Sequence, residues 1–239
     1  MDFPTGYLRK KVKKALYKFQ MIEPNETIVV GISGGIDSIT MLEVLSMLRG
    51  ELPFDYNLYP VYISLGTDGR VVDRIRGYLE GKGYRNFEII NGKLLDGLDK
   101  IKNKCYWCSR RRRKILFEVC ERLGTRKIAL GHIKEDFAEA FLMNIMFSGE
   151  TGCFNPKQDF FGGRFVIIRP MVYVERKYVE RYARSHGISD ISENCPYSKE
   201  SKREVIRELI RMASRYEKRV VKNIFAAITN INRKYLFEG

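Results

Sequence analysis

The spacing of apolar and polar positions changes period repeatedly along this chain, marking out alternating helices and strands. Residues 7–20 place Leu8, Val12, Ala15, Leu16 and Phe19 on one side of a basic amphipathic helix. Ile28, Val29 and Val30 form a β-branched run suited to a buried parallel strand. Met41, Leu42, Val44 and Leu45 then give a helix its apolar face. Leu58–Ser64, with Ile63 near its end, suit a second strand, residues 71–82 a helix, and Asn86–Ile90 a third strand. Residues 91–104 carry no clear period. Ser109 reads as the cap of a helix running to about Leu123, Arg126–Leu130 as a strand, and residues 135–147 as a strongly apolar helix. Phe160–Gly163 reads as a turn between extended segments, with Phe165–Ile168 as a strand, and two helices are expected near 175–186 and 200–229. This alternation predicts an α/β fold, a doubly wound parallel sheet with basic helical segments at both ends. The expected division is an N-terminal helix at 1–24, an α/β domain at 25–190 and a C-terminal helical segment at 191–239. Ligands in such sheets sit beyond the carboxyl ends of the strands. The glycine loop at 31–38 and Gly131-His132 both fall there.

Composition sharpens this picture. A chain of 239 residues can bury a full core. It has no apolar run long enough to span a bilayer, and its charged amino end is not followed by a signal-peptide core, so no membrane role and a cytoplasmic location are expected. The net charge of +14 favours a polyanionic partner. Residues 1–20 hold six basic residues and one acid, and residues 199–235 hold eleven and four, so the excess lies at the two ends.

Residues 29–38, Val-Val-Gly-Ile-Ser-Gly-Gly-Ile-Asp-Ser, carry the first chemical signal. Ser33, Gly34 and Gly35 remove side-chain bulk, so backbone N–H groups can approach an anion. Asp37 and Ser38 read as N-cap residues of the following helix. A glycine loop feeding a helix N-terminus is a natural polyphosphate site. An ordinary βα turn would also accommodate the two glycines. The Ser-Gly-Gly-x-Asp-Ser order resembles the PP-loop of ATP pyrophosphatases, which split ATP into AMP and pyrophosphate, and it lacks the Gly-Lys-Ser/Thr ending of a Walker A loop. The resemblance makes Gly31, Ser33, Gly34, Gly35, Asp37, Ser38, Ile63, Gly131 and Asp136 the expected ATP-binding residues. Added bulk at Gly34 is expected to strike the phosphates and leave any other cofactor in place.

Cys105-Tyr-Trp-Cys108 is the second signal. In a reducing compartment a C-x-x-C pair points to a metal or redox site rather than a structural disulfide. A thioredoxin-like pair would follow the first strand of its own βαβ unit, and here the glycine loop holds that place. A structural zinc site needs four ligands, and there is no second C-x-x-C. Cys120 shares an apolar face with Leu116, Val119 and Leu123 and reads as packing. Cys153, in a glycine-flanked loop, fits either role. Cys195, in Glu193-Asn194-Cys195-Pro196, lies between helices, where a turn can aim a thiolate back at the core.

PP-loop, C-x-x-C, Gly-His with an acidic pair, and one late cysteine form the order seen in tRNA 2-thiolation enzymes of the 2-thiocytidine synthetase type. The resemblance runs from about residue 25 to 200. It implies a [4Fe–4S] cluster held by three cysteines, with one iron lacking a protein ligand; by position these are Cys105, Cys108 and Cys195. Related 2-thiouridine synthetases add zinc-binding C-x-x-C pairs at both ends, which this sequence lacks. Ile36 stands where many relatives carry Lys, and Glu135-Asp136 replaces an Asp-Asp pair, so Asp136 is the residue carried over. Arg169-Pro170-Met171 resembles the family's Arg-Pro-Leu segment and reads equally well as a strand end closed by proline.

The resemblance implies an ATP-dependent tRNA sulfurtransferase that adenylates a pyrimidine C2 oxygen and replaces it with sulfur. Its expected cofactors are the [4Fe–4S] cluster, ATP and Mg²⁺. The expected partners are tRNA and a sulfur donor, either sulfide or a persulfide carrier. The apolar helix ends leave room for a homodimer. Asp37 and Asp136 are expected to hold Mg²⁺ or its waters and to fix the loop. Within Arg110–Lys114, Arg112 or Lys114 stands where relatives have a Lys, and the run would stabilise thiolates or grip phosphate. Three rivals are a lysidine-synthetase-like ligase, a persulfide relay through Cys105 or Cys108 without a cluster, and a basic RNA-binding protein with a vestigial nucleotide site. Finally, Arg203, Arg207, Arg211, Arg215 and Arg219 recur every four residues, a stripe expected to track RNA phosphates. Glu200, Glu204 and Glu208 are expected to pair only its first part, leaving it free from Arg211 onward.

Overall fold

Strand β1 (Thr27–Ile32) lies inside the sheet because its β-branched residues are apolar on both faces. Val29 packs into one core cluster, and Ile28 and Val30 into the other. The computed structural model describes residues 2–197, 201–232 and 234. Five more strands complete one six-stranded sheet: β2 (Asn57–Ser64), β3 (Glu88–Asn91), β4 (Lys127–Leu130), β5 (Lys157–Phe160) and β6 (Phe165–Ile168). Their order is β3-β2-β1-β4-β6-β5, parallel except for the β5–β6 hairpin. The order reverses between β1 and β4, so the loops after those two strands open side by side at one edge.

Helices α1 (Phe3–Lys18), α2 (Ile36–Leu48), α3 (Gly69–Gly81) and α6 (Arg176–Ser185) contribute to the larger core cluster, and α4 (Lys104–Arg122) to the smaller one. α2 is enclosed nearly all round. Its one acid in the middle, Glu43, is buried and accepts from Tyr78 Oη at 2.6 Å, Tyr182 Oη at 2.6 Å and Lys82 Nζ at 2.5 Å. These bonds tie α2 to α3 and α6 while keeping a buried carboxylate satisfied. α5 (Lys134–Ser148) is covered by α7 (Lys202–Ala213) and α8 (Val220–Ala227). Among the described residues no helix is long and apolar enough to cross a membrane.

Three element boundaries differ from the sequence reading. α2 begins at Ile36 with Gly35 as its N-cap, so Asp37 and Ser38 are its second and third residues rather than caps. α4 begins at Lys104, not beyond Ser109. Asn103 takes a left-handed φ of 61° at its N-cap, and its carbonyl accepts from Tyr106 N at 2.9 Å. The C-x-x-C pair therefore lies in the first turns of this helix. The expected helix over 200–229 is broken at 214–219. Ser214 Oγ closes on Ile210 O at 2.7 Å, and Glu217 takes the Arg219 amide at 2.7 Å.

Candidate functional site

The loop after β1 is closed by its own hydroxyls. Ser38 Oγ accepts from Ser33 N at 3.1 Å and donates to Gly35 O at 3.0 Å, and Ser33 Oγ accepts from Gly35 N at 3.3 Å. The two serines thus hold the glycines open at the start of α2, where first-turn amides have no helical partners. Gly131, just after β4, is needed for close approach: a Cβ there would lie 2.9 Å from Ser38 Cα and 3.0 Å from Ser38 N. The two strand ends are therefore pressed together around the anion-sized space.

A cavity of about 740 Å³ opens from this edge. It is lined by Gly31, Ser33, Asp37, Ser38, Ile63, Gly131 and Asp136, and also by Cys105, Cys108, Arg112 and Cys195. The predicted nucleotide and cysteine residues thus share one space. Gly34 and Gly35 stand at its edge without lining it. Cys120 is buried in the sheet–α4 core, where apolar burial drives its thiol up to about 12. Cys153 lies beside Arg169 outside the lining.

The acids beside the loop have distinct jobs. Asp136 accepts from the Ile133 amide at 2.9 Å and caps α5. Glu135 accepts from the Arg176 amide at 3.0 Å, at the start of α6. Asp37 Oδ2 meets Arg176 Nη1 at 3.5 Å, while Oδ1 is buried without a hydrogen-bond partner. Burial raises its carboxyl to about 6 despite Arg176, and Asp136, Glu135 and Asp190 push in the same direction. This concentration of negative charge and the orphaned oxygen suit a cation arriving with ATP. Next to them His132 is half-buried, with its Nδ1 out of solvent, and its ring is lowered to about 4 mainly by desolvation, with Arg169 and Arg203 adding to the effect.

The five-cation run divides around α4. Arg112 and Arg113 face the cavity, and Arg111 donates to Leu94 O and Asp96 O. Arg110 turns outward to Tyr106 and Trp107, and Lys114 pairs with Glu118 at 3.6 Å. Of the two candidates for the family Lys, only Arg112 reaches the cavity. Cys108 is raised by burial, opposed by Arg112, and it feels both Cys195 and Cys105. Three thiols lining one cavity with an arginine suit a soft, thiolate-bound metal group. Among the described residues no group of three His, Cys, Asp or Glu side chains is already drawn together at metal-binding geometry.

Sequence reasoning missed what holds Cys195 there. Its segment, residues 190–197, is strapped across the site at three points. Ile191 N donates to Gly34 O at 3.0 Å. The Glu193 carboxylate accepts from Ser64 Oγ at 2.8 Å and from the Leu65 amide, at the end of β2. Tyr197 donates to Asp99, and Lys104 Nζ stands 4.3 Å from the Tyr197 ring centroid. Gly34, with φ +83°, owes its identity to this strap, since a Cβ would sit 2.8 Å from Ile191 O and 2.9 Å from Ser192 Cα. The expected clash at Gly34 is therefore with the cysteine segment itself. A lone loop carboxylate such as Glu193 has no sequence signature.

The arginine stripe is not an open phosphate track. Arg203 and Arg207 reach back to the buried Glu139 of α5 at 3.5 and 2.9 Å. Arg211 pairs with Glu204 at 2.5 Å, and Arg219 with Glu217 at 3.6 Å. Arg215 and Arg219 lie in the break between α7 and α8, off the line of the first three. Glu200 lies outside the described residues.

A family model described as a PP-loop domain matches residues 102–213. A tRNA-cytidine(32) 2-sulfurtransferase of Syntrophotalea carbinolica is 32% identical over 241 residues, covering 97% of this chain and 92% of the relative. That of Geobacter sulfurreducens is 30% identical over 251 residues, covering 100% and 96%. The fold is similar to that of the U34-tRNA thiolase NcsA from Methanococcus maripaludis, solved with its [4Fe-4S] cluster, at a TM-score of 0.73 and 21% identity over 98% of this chain and 83% of that one. Fold, loop and matches together define the class as the ATP-dependent tRNA thiolases built on a PP-loop domain. Within that class the chain belongs to the tRNA-cytidine(32) 2-sulfurtransferase family.

Proposed function

We propose that the protein replaces the C2 oxygen of a tRNA cytidine, at position 32 as in the named relatives, with sulfur. One observation carries the reading: the PP-loop and three thiols line a single cavity. The C2 oxygen attacks the α-phosphate of ATP, forming a C–O–P linkage, and pyrophosphate leaves. The loop amides and the start of α2 bind the departing pyrophosphate. Asp37, with Asp136 behind it, organises Mg²⁺ against the phosphates. Sulfide, supplied as such or released from a persulfide carrier when a second thiol closes a disulfide with that carrier, then adds at C2 and AMP departs with the former oxygen. With sulfide the exchange needs no net redox change.

Cys105, Cys108 and Cys195 would hold the [4Fe–4S] cluster, which when bound supplies an iron free of protein thiolate for the incoming sulfur. Arg112 offsets negative charge beside these thiols, Arg113, Arg169 and Arg203 add positive charge to the same lining, and His132 stays neutral among them. Walls of Ile63, Leu65 and Leu116 keep bulk water from the activated base.

The test is anaerobic incubation with tRNA, ATP, Mg²⁺ and sulfide. One AMP and one pyrophosphate are expected per 2-thiocytidine recovered after nuclease digestion. ADP as product would contradict the PP-loop chemistry, and 2-thiouridine would overturn the assignment of the base.

A further inference from the structure

One face of α4 has no part in the cavity and no packing role. Tyr106 and Trp107, between the two cysteines, are 52% and 39% exposed, set edge to face with centroids 5.6 Å apart. Arg110, one turn on, holds them from below: its Nη1 donates to Tyr106 Oη at 3.4 Å, and its guanidinium carbon stands 5.7 Å from the Trp107 ring centroid. Burial of these rings would stabilise the fold, so leaving them in solvent is a cost with no return inside the protein. The surrounding charge names the missing occupant. From residue 100 to 114 the chain has eight cations and no acid. Two flat, exposed rings in a purely cationic stretch suit a π-faced polyanion.

We infer that Tyr106, Trp107 and Arg110 form a stacking platform for an unpaired nucleobase of the RNA substrate. This rests on the tRNA reading above. Unpaired bases offer their faces to aromatic side chains, whereas paired bases keep theirs stacked within the helix. Trp107 and Cys108 are adjacent on a helix roughly 10–12 Å across, about the reach of one or two nucleotides. A base resting on the platform therefore brings its neighbour round the helix to the cavity. The platform would thus select a looped-out strand and present the target base to the thiol wall.

Trp107 is the only tryptophan, so its fluorescence reports this face alone. The full chain, purified anaerobically, is titrated with tRNA and with an RNA duplex of equal phosphate number. tRNA should quench Trp107 saturably, and the duplex should not. Trp107→Ala should weaken tRNA binding about tenfold, and Trp107→Phe should recover most of it, as expected for one lost stack. Both variants should keep the iron content and duplex affinity of the unaltered chain. Unchanged tRNA affinity in Trp107→Ala, or equal quenching by both RNAs, would overturn the platform while leaving the thiolase reading intact. If the unaltered chain fails to bind tRNA at all, the tRNA reading falls and the platform with it.

Discussion

The two sides of the cavity are built in opposite ways. The nucleotide side is made of neighbours: Ser33 to Ser38 lie within one βα turn, and Gly131 touches them because β4 is the next strand. The groups proposed to bind phosphate there are largely backbone amides, positioned by regular secondary structure. The sulfur side is assembled from distant parts. Two cysteines ride the first turns of α4, and the third comes from a segment fixed by side chains such as Glu193. A backbone site tolerates change in its side chains but not in its glycines. A side-chain site depends on latches that carry no motif.

The largest effect should come from removing a thiol. Cys105→Ser, Cys108→Ser or Cys195→Ser should each lose most of the iron in anaerobically purified protein, from about four per chain for a cubane cluster. Cys120→Ser should keep its iron, because that thiol is buried in the core away from the cavity. Equal iron loss in all four would erase the distinction between the two sides.

Gly34→Ala tests whether the sides are mechanically joined. The added Cβ strikes Ile191 and Ser192, so ATP-dependent thiolation should fall at least about a hundredfold by the loss of near-attack geometry. Iron should also become easier to extract with chelator. Full retention of iron would show that the strap does not transmit the push. Glu193→Gln should have a milder effect, speeding chelation of iron a few-fold while leaving ATP affinity within about twofold, since the amide can still accept one of the two bonds.

Asp37 offers a smaller, pH-dependent effect. Its carboxyl rises from an ordinary 3.8 to about 6 in the fold, so the folded chain binds this proton more tightly than the unfolded chain. The ionised form then opposes folding, with the cost growing from pH 4 to 6 and complete above pH 6, roughly 3 kcal/mol. Asp37→Asn should therefore raise the melting temperature of nucleotide-free protein by several degrees at pH 7.5, and by nothing near pH 3.5, while lowering turnover. A lower melting temperature at pH 7.5 would mean that the pair with Arg176 outweighs burial.

The smallest effect is expected from the carboxy-terminal arginines. Because Arg211 and Arg219 already have acidic partners, changing Arg211, Arg215 and Arg219 together to Gln should flatten the log–log salt slope of tRNA binding by about one at most. A change of two to three would restore the continuous phosphate track that the broken helix argues against.

Much of the scaffold was legible because burial leaves a period. The strand at 27–32 and the helix over 134–148 follow directly from their apolar runs. The boundaries misread in the sequence are those set by single hydrogen bonds. Asn103 starts α4 through a left-handed turn, and Ser214 and Glu217 stop a helix whose apolar pattern continues to Phe225. The arginine stripe misled for a related reason: a four-residue spacing shows which face a side chain takes, not that Glu139 of another helix waits beneath it. The candidate residues of the site were found through motifs, while Glu193, Arg176 and the split of the Arg110–Lys114 run emerged only from the tertiary arrangement.

The strap also bears on the order in which the molecule comes into being. Ser64 and Glu193 are separated by 129 positions, so their bond closes only after the last described strand, β6, has been laid down. A chain still emerging from synthesis can offer Cys105 and Cys108 as a pair, but Cys195 has not yet been strapped into the same cavity. On the ligand set proposed above, loading of an iron–sulfur group would be deferred until the sheet is finished, and a truncated chain would have only a two-thiol grip to offer it.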